Sequence, residues 1–300
     1  MSGTPSRPSP EGGGRGTWRV SVEERTAGTG PSGGGRTGRN LPAAIAVGVG
    51  LGALVLGTLY TVKELFLLVM VACVGVGVLE LTKAFATRGI KVPAVPVLAG
   101  LVAMQAGAYW GGAFWLLAAF AVFAFVLLVW RMFSDGTDGY VRDGTASVFT
   151  LFYPAMLAAF AALLLAPPDG RDRVLIFIAV TVASDIGGYA AGVLFGRHKM
   201  TVISPKKTWE GFAGSMIACT LVGGWLVTWL LDGPPRLGAL IGALAALLAT
   251  VGDLIESMIK RDLGIKDLGT ILPGHGGLMD RLDSLVTTLV PVWLLLTLFL

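Results

Sequence analysis

The stretch that decides the fold is LGALIGALAALLATVGDLIESMIKRDLGIKDLGTILPGHGGLMDRLDS, residues 237–284. Its first part, Leu237–Ile255, is an apolar run. Its length is close to the roughly 20 residues that a helix needs to cross about 30 Å of hydrocarbon. The second part, Ser257–Ser284, holds eight Lys, Arg and Asp side chains besides His275. Another apolar run, Leu285–Leu300, follows directly. A polar segment this dense between two membrane-length segments indicates a site at a membrane surface rather than a simple connector.

The composition places the whole chain in the membrane class. Hydrophobic residues make up 54% of it and charged residues 14%, with a mean hydropathy of +0.74, whereas soluble domains carry about 25% charged residues. We therefore predict an all-α, polytopic bundle of about nine transmembrane helices. The predicted segments are 41–61, 64–84, 94–110, 112–132, 147–166, 173–196, 211–231, 236–256 and 284–300. Only Trp110-Gly111-Gly112 divides the third from the fourth, which leaves a helical hairpin and a re-entrant pair as alternatives.

Residues 1–40 differ from the rest of the chain in composition. They are rich in Gly, Ser, Pro, Thr and Arg, so we expect a disordered tail ahead of a transmembrane domain at 41–300. Nine spans with a cytoplasmic N-terminus put 19 of the 23 Lys and Arg residues on the cytoplasmic side, as the positive-inside rule predicts. This topology explains the basic pI of about 9.2. We therefore expect no nucleic-acid partner and a multi-pass protein of the plasma membrane.

Small residues predict close contacts between helices. A spacing of four residues places such residues on one helix face, where another backbone can approach closely. We expect this packing at Ser184, Gly188, Gly192 and Gly196, and in shorter form at Gly48/Gly52 and Gly238/Gly242.

Two polar features lie ahead of the 237–284 stretch in the sequence. Asp185 lies in the middle of the sixth segment, where a carboxylate is costly unless it faces water or a partner. The following loop carries Lys206 and Lys207 after Ser204-Pro205, which we interpret as a helix start. Lysines at a helix N-terminus are typical of a phosphate site. A positive-inside loop that only anchors the helix is the alternative.

The 237–284 stretch itself contains carboxylates, cations and a glycine-rich turn. Asp253, Glu256 and Lys260 share one helix face by their spacing, which predicts either a metal site or a salt-bridged cluster. The turn at 273–277 lets backbone amides approach an anion, and His275 either polarises a phosphate or caps the turn. Hard oxygen ligands without clustered Cys or His favour Mg²⁺, with Mn²⁺ as a substitute. Mg²⁺ with Lys and Arg is typical of phosphoryl or nucleotidyl transfer.

The polar segment resembles the signature of the phosphatidate cytidylyltransferase (CDP-diacylglycerol synthase) family, S-x-x-K-R-x4-K-D-x-G-x2-[LIF]-P-x-H-G-G-x2-D-R-x-D. This chain fills every fixed place from Ser257 to Asp283. Shorter family motifs match at Ser184–Tyr189, Phe195–Arg197, Ser204–Gly211 and Gly252–Ser257. The resemblance covers about 41–300. It implies a mostly helical, homodimeric membrane enzyme that meets membrane lipids and transfers CMP from CTP to phosphatidate, giving CDP-diacylglycerol and pyrophosphate.

The resemblance also implies roles for individual residues. The expected catalytic residues are Asp253, Asp280, Lys260, Arg261, His275 and Asp283, of which Asp253, Asp280 and Asp283 would hold the metal. The expected substrate-binding residues are Asp185, Ser204, Lys206, Lys207, Lys266, Asp267, Gly276, Gly277 and Arg281. Phosphatidate brings an ionised phosphate oxygen as nucleophile, so no Ser or Cys nucleophile is required. The alternatives are a transferase or kinase that uses CTP on another lipid, and a transporter in which Asp185 and Asp253 carry ions.

Overall fold

The computed structural model describes residues 41–134, 136–201, 203, 204, 206–269 and 277–300, with side chains from residue 50 onward except 51. These described residues form nine helices and no named strand. The helices are α1 Leu41–Thr61, α2 Lys63–Ala86, α3 Ala94–Gly111, α4 Ala113–Ser134, α5 Tyr140–Leu165, α6 Gly170–Phe195, α7 Trp209–Leu231, α8 Pro235–Leu263 and α9 Met279–Phe299. The predicted all-α bundle is confirmed. The predicted tail at 1–40 lies outside the described residues.

The helices have the length and hydropathy of membrane spans. Eight of the described helices, α2 to α9, are long and apolar enough to cross a bilayer, and the searched part of α1 adds the shorter apolar piece Gly52–Thr61. The chain is therefore a membrane protein. The exact count of about nine spans and the cytoplasmic N-terminus stay predictions.

The connection between α3 and α4 is a tight turn at Gly112. The two helices pack against each other and are joined by Gly112, whose φ of 78° lies in the region that glycine adopts without strain. The third and fourth apolar segments are therefore two helices packed against each other, and a pair of full spans and a re-entrant pair stay open.

Several helices extend beyond their apolar segments. α5 begins at Tyr140 rather than near 147, α8 continues to Leu263 rather than 256, and α9 begins at Met279 rather than 284. The predicted ends were wrong because hydropathy falls at charged residues, whereas backbone hydrogen bonding continues through them. In α8 and α9 these extensions carry six charged residues of the 237–284 stretch, which are Lys260, Arg261, Asp262, Asp280, Arg281 and Asp283.

Small residues set the spacing of the helices around the site. Ser184, Gly188 and Gly192 on one face of α6, with Gly196 directly after the helix, are called here the α6 stripe. On it, Gly188 lies against Ser215 and Gly192 against Gly211 of α7. Between α7 and α8, Gly238 approaches the carbonyl of Gly223 so closely that a Cβ has no room. These contacts confirm helix packing at the α6 stripe and at Gly238/Gly242. At Gly52 no described atom lies within 4 Å of the place where a Cβ would stand, so the expected close contact is not found there among the described residues.

The loops sort into the two ends of the bundle as the predicted topology requires. At one end, called here the site end, Arg88 donates to the carbonyl of Leu263 and Arg142 to that of Gly89. At the other end, called the capping end, Lys63 and Arg171 donate to carbonyls at the far ends of α5 and α1. These contacts put the loops after α2, α4 and α8 at one end and those after α1 and α5 at the other.

Candidate active site

The segment between α6 and α7 presents two lysines to the bundle. Met200 N–H donates to the carbonyl of Lys207 at 2.9 Å, so the chain folds back in an antiparallel turn. α7 begins only at Trp209, where Thr208 Oγ1 accepts from Gly211 N–H at 3.1 Å as the N-cap. The helix start predicted at Ser204-Pro205 is therefore wrong, because the backbone up to Thr208 pairs with 198–200. Lys206 and Lys207 precede the helix rather than begin it.

A cavity of about 370 Å³ lies between α6, α7, α8 and this turn. Its charged lining residues are Asp185, Lys206, Lys207 and Asp253. Its other lining residues are mostly small or polar, including Ser184, Gly188, Gly192, Thr208, Gly211, Ser215 and Thr250. Larger grooves of about 570 and 420 Å³ lie against α4, but aromatic and aliphatic side chains dominate their walls. Chemical character rather than size therefore identifies the site.

Two lysines hold carboxylates of α8 and α9. The ammonium of Lys207 contacts Asp253 Oδ2, and also lies 3.5 Å from the carbonyl of Thr250. The ammonium of Lys260 lies 2.7 Å from Glu256 Oε2 and 3.0 Å from Asp280 Oδ1. The predicted common face of Asp253, Glu256 and Lys260 is thus realised as charge pairs that tie α8 to its neighbours.

Asp280 accepts hydrogen bonds from both flanks of the glycine-rich turn. Its Oδ2 accepts from Gly277 N–H at 2.8 Å and from Leu268 N–H at 3.1 Å. The carboxylate therefore joins the chain before and after 270–276, while Lys260 balances its charge.

Asp283 links the two charge pairs. It is 5% exposed, lies within electrostatic reach of Asp253, and interacts with Glu256 across the α8–α9 contact. Close approach of the helices is possible because Gly252 meets Asp283 O and Thr287 directly. Four carboxylates and two lysines thus converge where α8, α9 and the 197–208 turn meet.

The donor chemistry of this cluster fits a hard divalent cation. Glu256 Oε1 is buried and has no hydrogen-bond partner among the described residues, next to Asp283 and Lys260. Carboxylate oxygens are the ligands that Mg²⁺ prefers. Within the described ranges, no three His, Cys, Asp or Glu side chains stand in a ready metal-binding geometry. The lysine ammoniums provide the balancing positive charge.

The remaining predicted residues lie around this cluster or away from it. Arg281 is exposed, acts electrostatically on Asp185, and forms part of the wall of an apolar cavity. Arg261 Nη2 lies 3.5 Å from the carbonyl of Ile203, and Ser204 accepts from Lys207 N–H through its carbonyl. The side chains of Lys266 and Asp267 are exposed, in the chain ahead of the turn. The predicted His275 and Gly276 lie outside the described residues.

Sequence reasoning missed Glu80. This residue of α2 is 3% exposed, and its Oε2 accepts from Met279 N–H at 2.8 Å at the start of α9. Its signal was present in the sequence, because a lone carboxylate within an apolar segment is costly unless it has a partner. The partner is 199 residues away, so no local pattern indicated it.

Comparisons with known proteins agree with this site. The model of the Cytidylyltransferase family matches residues 42–299. A protein of Mycobacterium leprae (strain TN) named phosphatidate cytidylyltransferase is 39% identical over 285 residues, covering 88% of this chain and 89% of that protein. Proteins of the same name from Mycobacterium tuberculosis (strain ATCC 25618 / H37Rv) and Staphylococcus saprophyticus are 38% and 32% identical. These alignments cover 88% and 84% of this chain, and 84% and 95% of the respective relatives.

The family match spans α1 to α9 and includes all the charged residues of the site. From its sequence, its helical bundle and these relatives, the chain belongs to the cytidylyltransferase family.

Proposed function

We propose that this protein is an integral membrane phosphatidate cytidylyltransferase, which transfers CMP from CTP to phosphatidate for phospholipid synthesis. The observation that carries the proposal is the 370 Å³ cavity lined by Lys206, Lys207, Asp185 and Asp253, together with the Lys260–Asp280 pair on the adjoining ends of α8 and α9. Both substrates are polyanions, so bringing them together requires cations at a fixed place. The names of the relatives indicate the same reaction.

The chemistry requires positioning and charge neutralisation. A phosphate oxygen of phosphatidate attacks the α-phosphorus of CTP. A new P–O bond forms, the bond from the α-phosphorus to the bridging oxygen of the β-phosphate breaks, and pyrophosphate leaves with the electron pair. Lys206 and Lys207 at the cavity wall are placed to bind nucleotide phosphates. Lys260 supplies further positive charge beside Asp280.

We assign the metal ligands to Asp253, Asp280 and Asp283, with Mg²⁺ as the ion and Mn²⁺ as a substitute. A bound divalent ion would neutralise charge on the phosphates. Lys207 and Lys260, which now contact Asp253 and Asp280, can then turn their ammoniums to the substrate phosphates. Glu256 lies beside Asp283 and supplies a further buried oxygen.

The lipid enters from the bilayer in this proposal. A partly open apolar cavity of about 160 Å³ lies among α1, α2, α5, α6 and α9, and Arg281 is part of its wall. Arg281 also acts on Asp185, which lines the nucleotide cavity. A lipid phosphate at Arg281 would therefore have its acyl chains beside apolar helix faces and its reactive oxygen toward the nucleotide.

The setting of the enzyme is proposed from topology and family. CTP is cytosolic, so the site end would face the cytoplasm in the plasma membrane. The excess of Lys and Arg at that end supports this orientation. We further propose a homodimer in contact with membrane lipids.

The reaction is tested with purified protein and CTP carrying radiolabel on the α-phosphate. The lipid panel is phosphatidate, a polyprenol and an ether-linked glycerol phosphate. The proposal expects label in the lipid product only with phosphatidate, and pyrophosphate in equal amount. Preferred labelling of another lipid would reassign the substrate, and no transfer to any lipid would contradict the proposed reaction.

A further inference from the structure

Glu80 occupies the point where both flanks of the glycine-rich turn meet α2. Its Oε2 accepts from Met279 N–H at 2.8 Å, at the first residue of α9. That N–H is one of the helix-start donors that have no intrahelical partner. A carboxylate there also meets the positive end of the helix dipole. Glu80 therefore fixes where α9 begins, one residue before Asp280.

The two glycines that flank the turn are shaped to this carboxylate. The three atoms nearest to a Cβ built on Gly269 all belong to Glu80. A Cβ on Gly277 would lie 2.7 Å from Glu80 Oε2 and 2.8 Å from Asp280 Oδ2. A side chain at Gly269 would displace the Glu80 carboxylate, and one at Gly277 would also meet the backbone N of Gly269 at 2.7 Å.

Glu80 and Asp280 accept hydrogen bonds from different residues of the two flanks of the turn. Asp280 accepts from Leu268 and Gly277, and Glu80 accepts from the next helix start at Met279. Glu80 is 3% exposed, and its Oε1 has no hydrogen-bond partner within the part of the chain that the structure describes. A buried carboxylate with one oxygen unpaired carries a substantial desolvation cost. A role in the site explains why the fold retains it.

We propose that Glu80 is a positioning residue of the active site. Its carboxylate holds the start of α9 and the flanks Gly269 and Gly277 in place, and thereby sets Asp280 and Lys260 at their working distance. The inference rests on the proposed function for its catalytic consequence. The structural part, the coupling of Glu80 to Gly269 and Met279, is independent of it.

The kinetic test compares Glu80→Ala and Glu80→Gln with Glu64→Ala in purified protein. Glu64 is the matched control, since it lies on the same helix and accepts a hydrogen bond from Tyr109 at 3.0 Å, far from the turn. We expect Glu80→Ala to lower kcat by about 10- to 100-fold, as misplaced catalytic groups do, with the KM for phosphatidate within about twofold. Glu80→Gln keeps an acceptor for Met279 N–H, so it should restore part of kcat. Glu64→Ala should match the parent.

A second readout needs no turnover. Hydrogen exchange followed by mass spectrometry should show faster exchange in peptides spanning 264–282 of Glu80→Ala, with α6 and α7 unchanged. Unchanged protection of that segment would overturn the proposal even if activity fell. A parent protein with no transferase activity would contradict the proposed function, while altered exchange would still support the coupling.

A double-mutant cycle tests the contact between Glu80 and Gly269 directly. Gly269→Ala places a methyl group against the Glu80 carboxylate in the parent, whereas the Glu80→Ala background leaves room for that methyl group. We expect Gly269→Ala to reduce kcat about tenfold more in the parent than in that background, a coupling of about 1.4 kcal/mol. Equal effects of Gly269→Ala in the two backgrounds would show that Glu80 does not shape the turn.

Discussion

The two ends of the bundle use their cations differently. At the capping end, Lys63 donates to carbonyls at 165, 167 and 168, and Arg173 donates to the carbonyl of Leu296. At the site end, Lys207 and Lys260 pair with the carboxylates of Asp253, Glu256 and Asp280. Helix ends leave carbonyls without intrahelical partners, so the first arrangement stabilises the fold. The second gathers ammonium groups and carboxylates at the cavity lined by Lys207 and on the adjoining helix ends, the charges that the proposed reaction between polyanions requires.

The largest expected effect comes from removing a charge at the site end. Asp253→Asn keeps the shape of the side chain but removes a proposed ligand, and Asp280→Asn does the same at the turn. Each should lower kcat by at least about a hundredfold, the scale seen for electrostatic groups, while the protein still folds and inserts. Assay of detergent-purified variants with a monodisperse elution profile provides the measurement. Parent-like activity in either variant would remove that residue from the site.

Metal removal tests the same end without mutation. Because hard carboxylates dominate the cluster, turnover should stop in excess chelator and recover on adding Mg²⁺ or Mn²⁺. Lys63→Met at the capping end should show the same metal dependence as the parent. Full activity after exhaustive chelation would refute the assignment of Asp253, Asp280 and Asp283 as ligands.

A buried ion pair at the site end lies away from the cavity. It therefore separates an effect on stability from an effect on the reaction. Arg131 Nη2 lies 3.1 Å from Asp143 Oδ2, and both side chains are less than 5% exposed. Breaking a buried pair costs about 3–5 kcal/mol. Asp143→Asn should therefore lower the unfolding temperature strongly while kcat per folded molecule stays near that of the parent. A selective loss of kcat would mean that this pair contributes to the reaction.

Variants at the capping end should lower stability and leave the kinetics unchanged, the reverse of the site variants, and the effect should be smaller. Lys63→Met removes a charged donor from the carbonyls at the end of α5, which costs about 1–3 kcal/mol. We expect a lower unfolding temperature and unchanged kcat and KM. A large fall in kcat without loss of stability would contradict a purely capping role.

The smallest effect is expected from the tail. Deleting 1–36 removes five of the six arginines of 1–40 but keeps Arg39 beside α1. Since these residues are polar and lack apolar anchors, specific activity and membrane insertion should stay near those of the parent. A large loss of turnover in well-inserted protein would place the tail in the site.

The sequence predicted the apolar cores of the helices well, because about 20 consecutive apolar residues have few other interpretations. It also indicated Asp253, Glu256 and Lys260 as one helix face, which agrees with the Lys260–Glu256 pair and with the approach of Asp283 to both Asp253 and Glu256. It misplaced the starts of α5, α7 and α9, because hydropathy does not report where charged or turn residues begin hydrogen bonding. Glu80 escaped detection since its contact with Met279 depends on tertiary packing alone.

The central claim is that the reactive end faces the compartment that holds CTP. Single cysteines at Thr201 in the site-end turn and at Asp232 between α7 and α8, in a background with Cys73→Ala and Cys219→Ala, report each end. Intact cells are treated with a membrane-impermeant thiol reagent, and permeabilised cells show that both positions can react. The account predicts labelling of Asp232→Cys in intact cells and of Thr201→Cys only after permeabilisation. Labelling of Thr201→Cys from outside would contradict it.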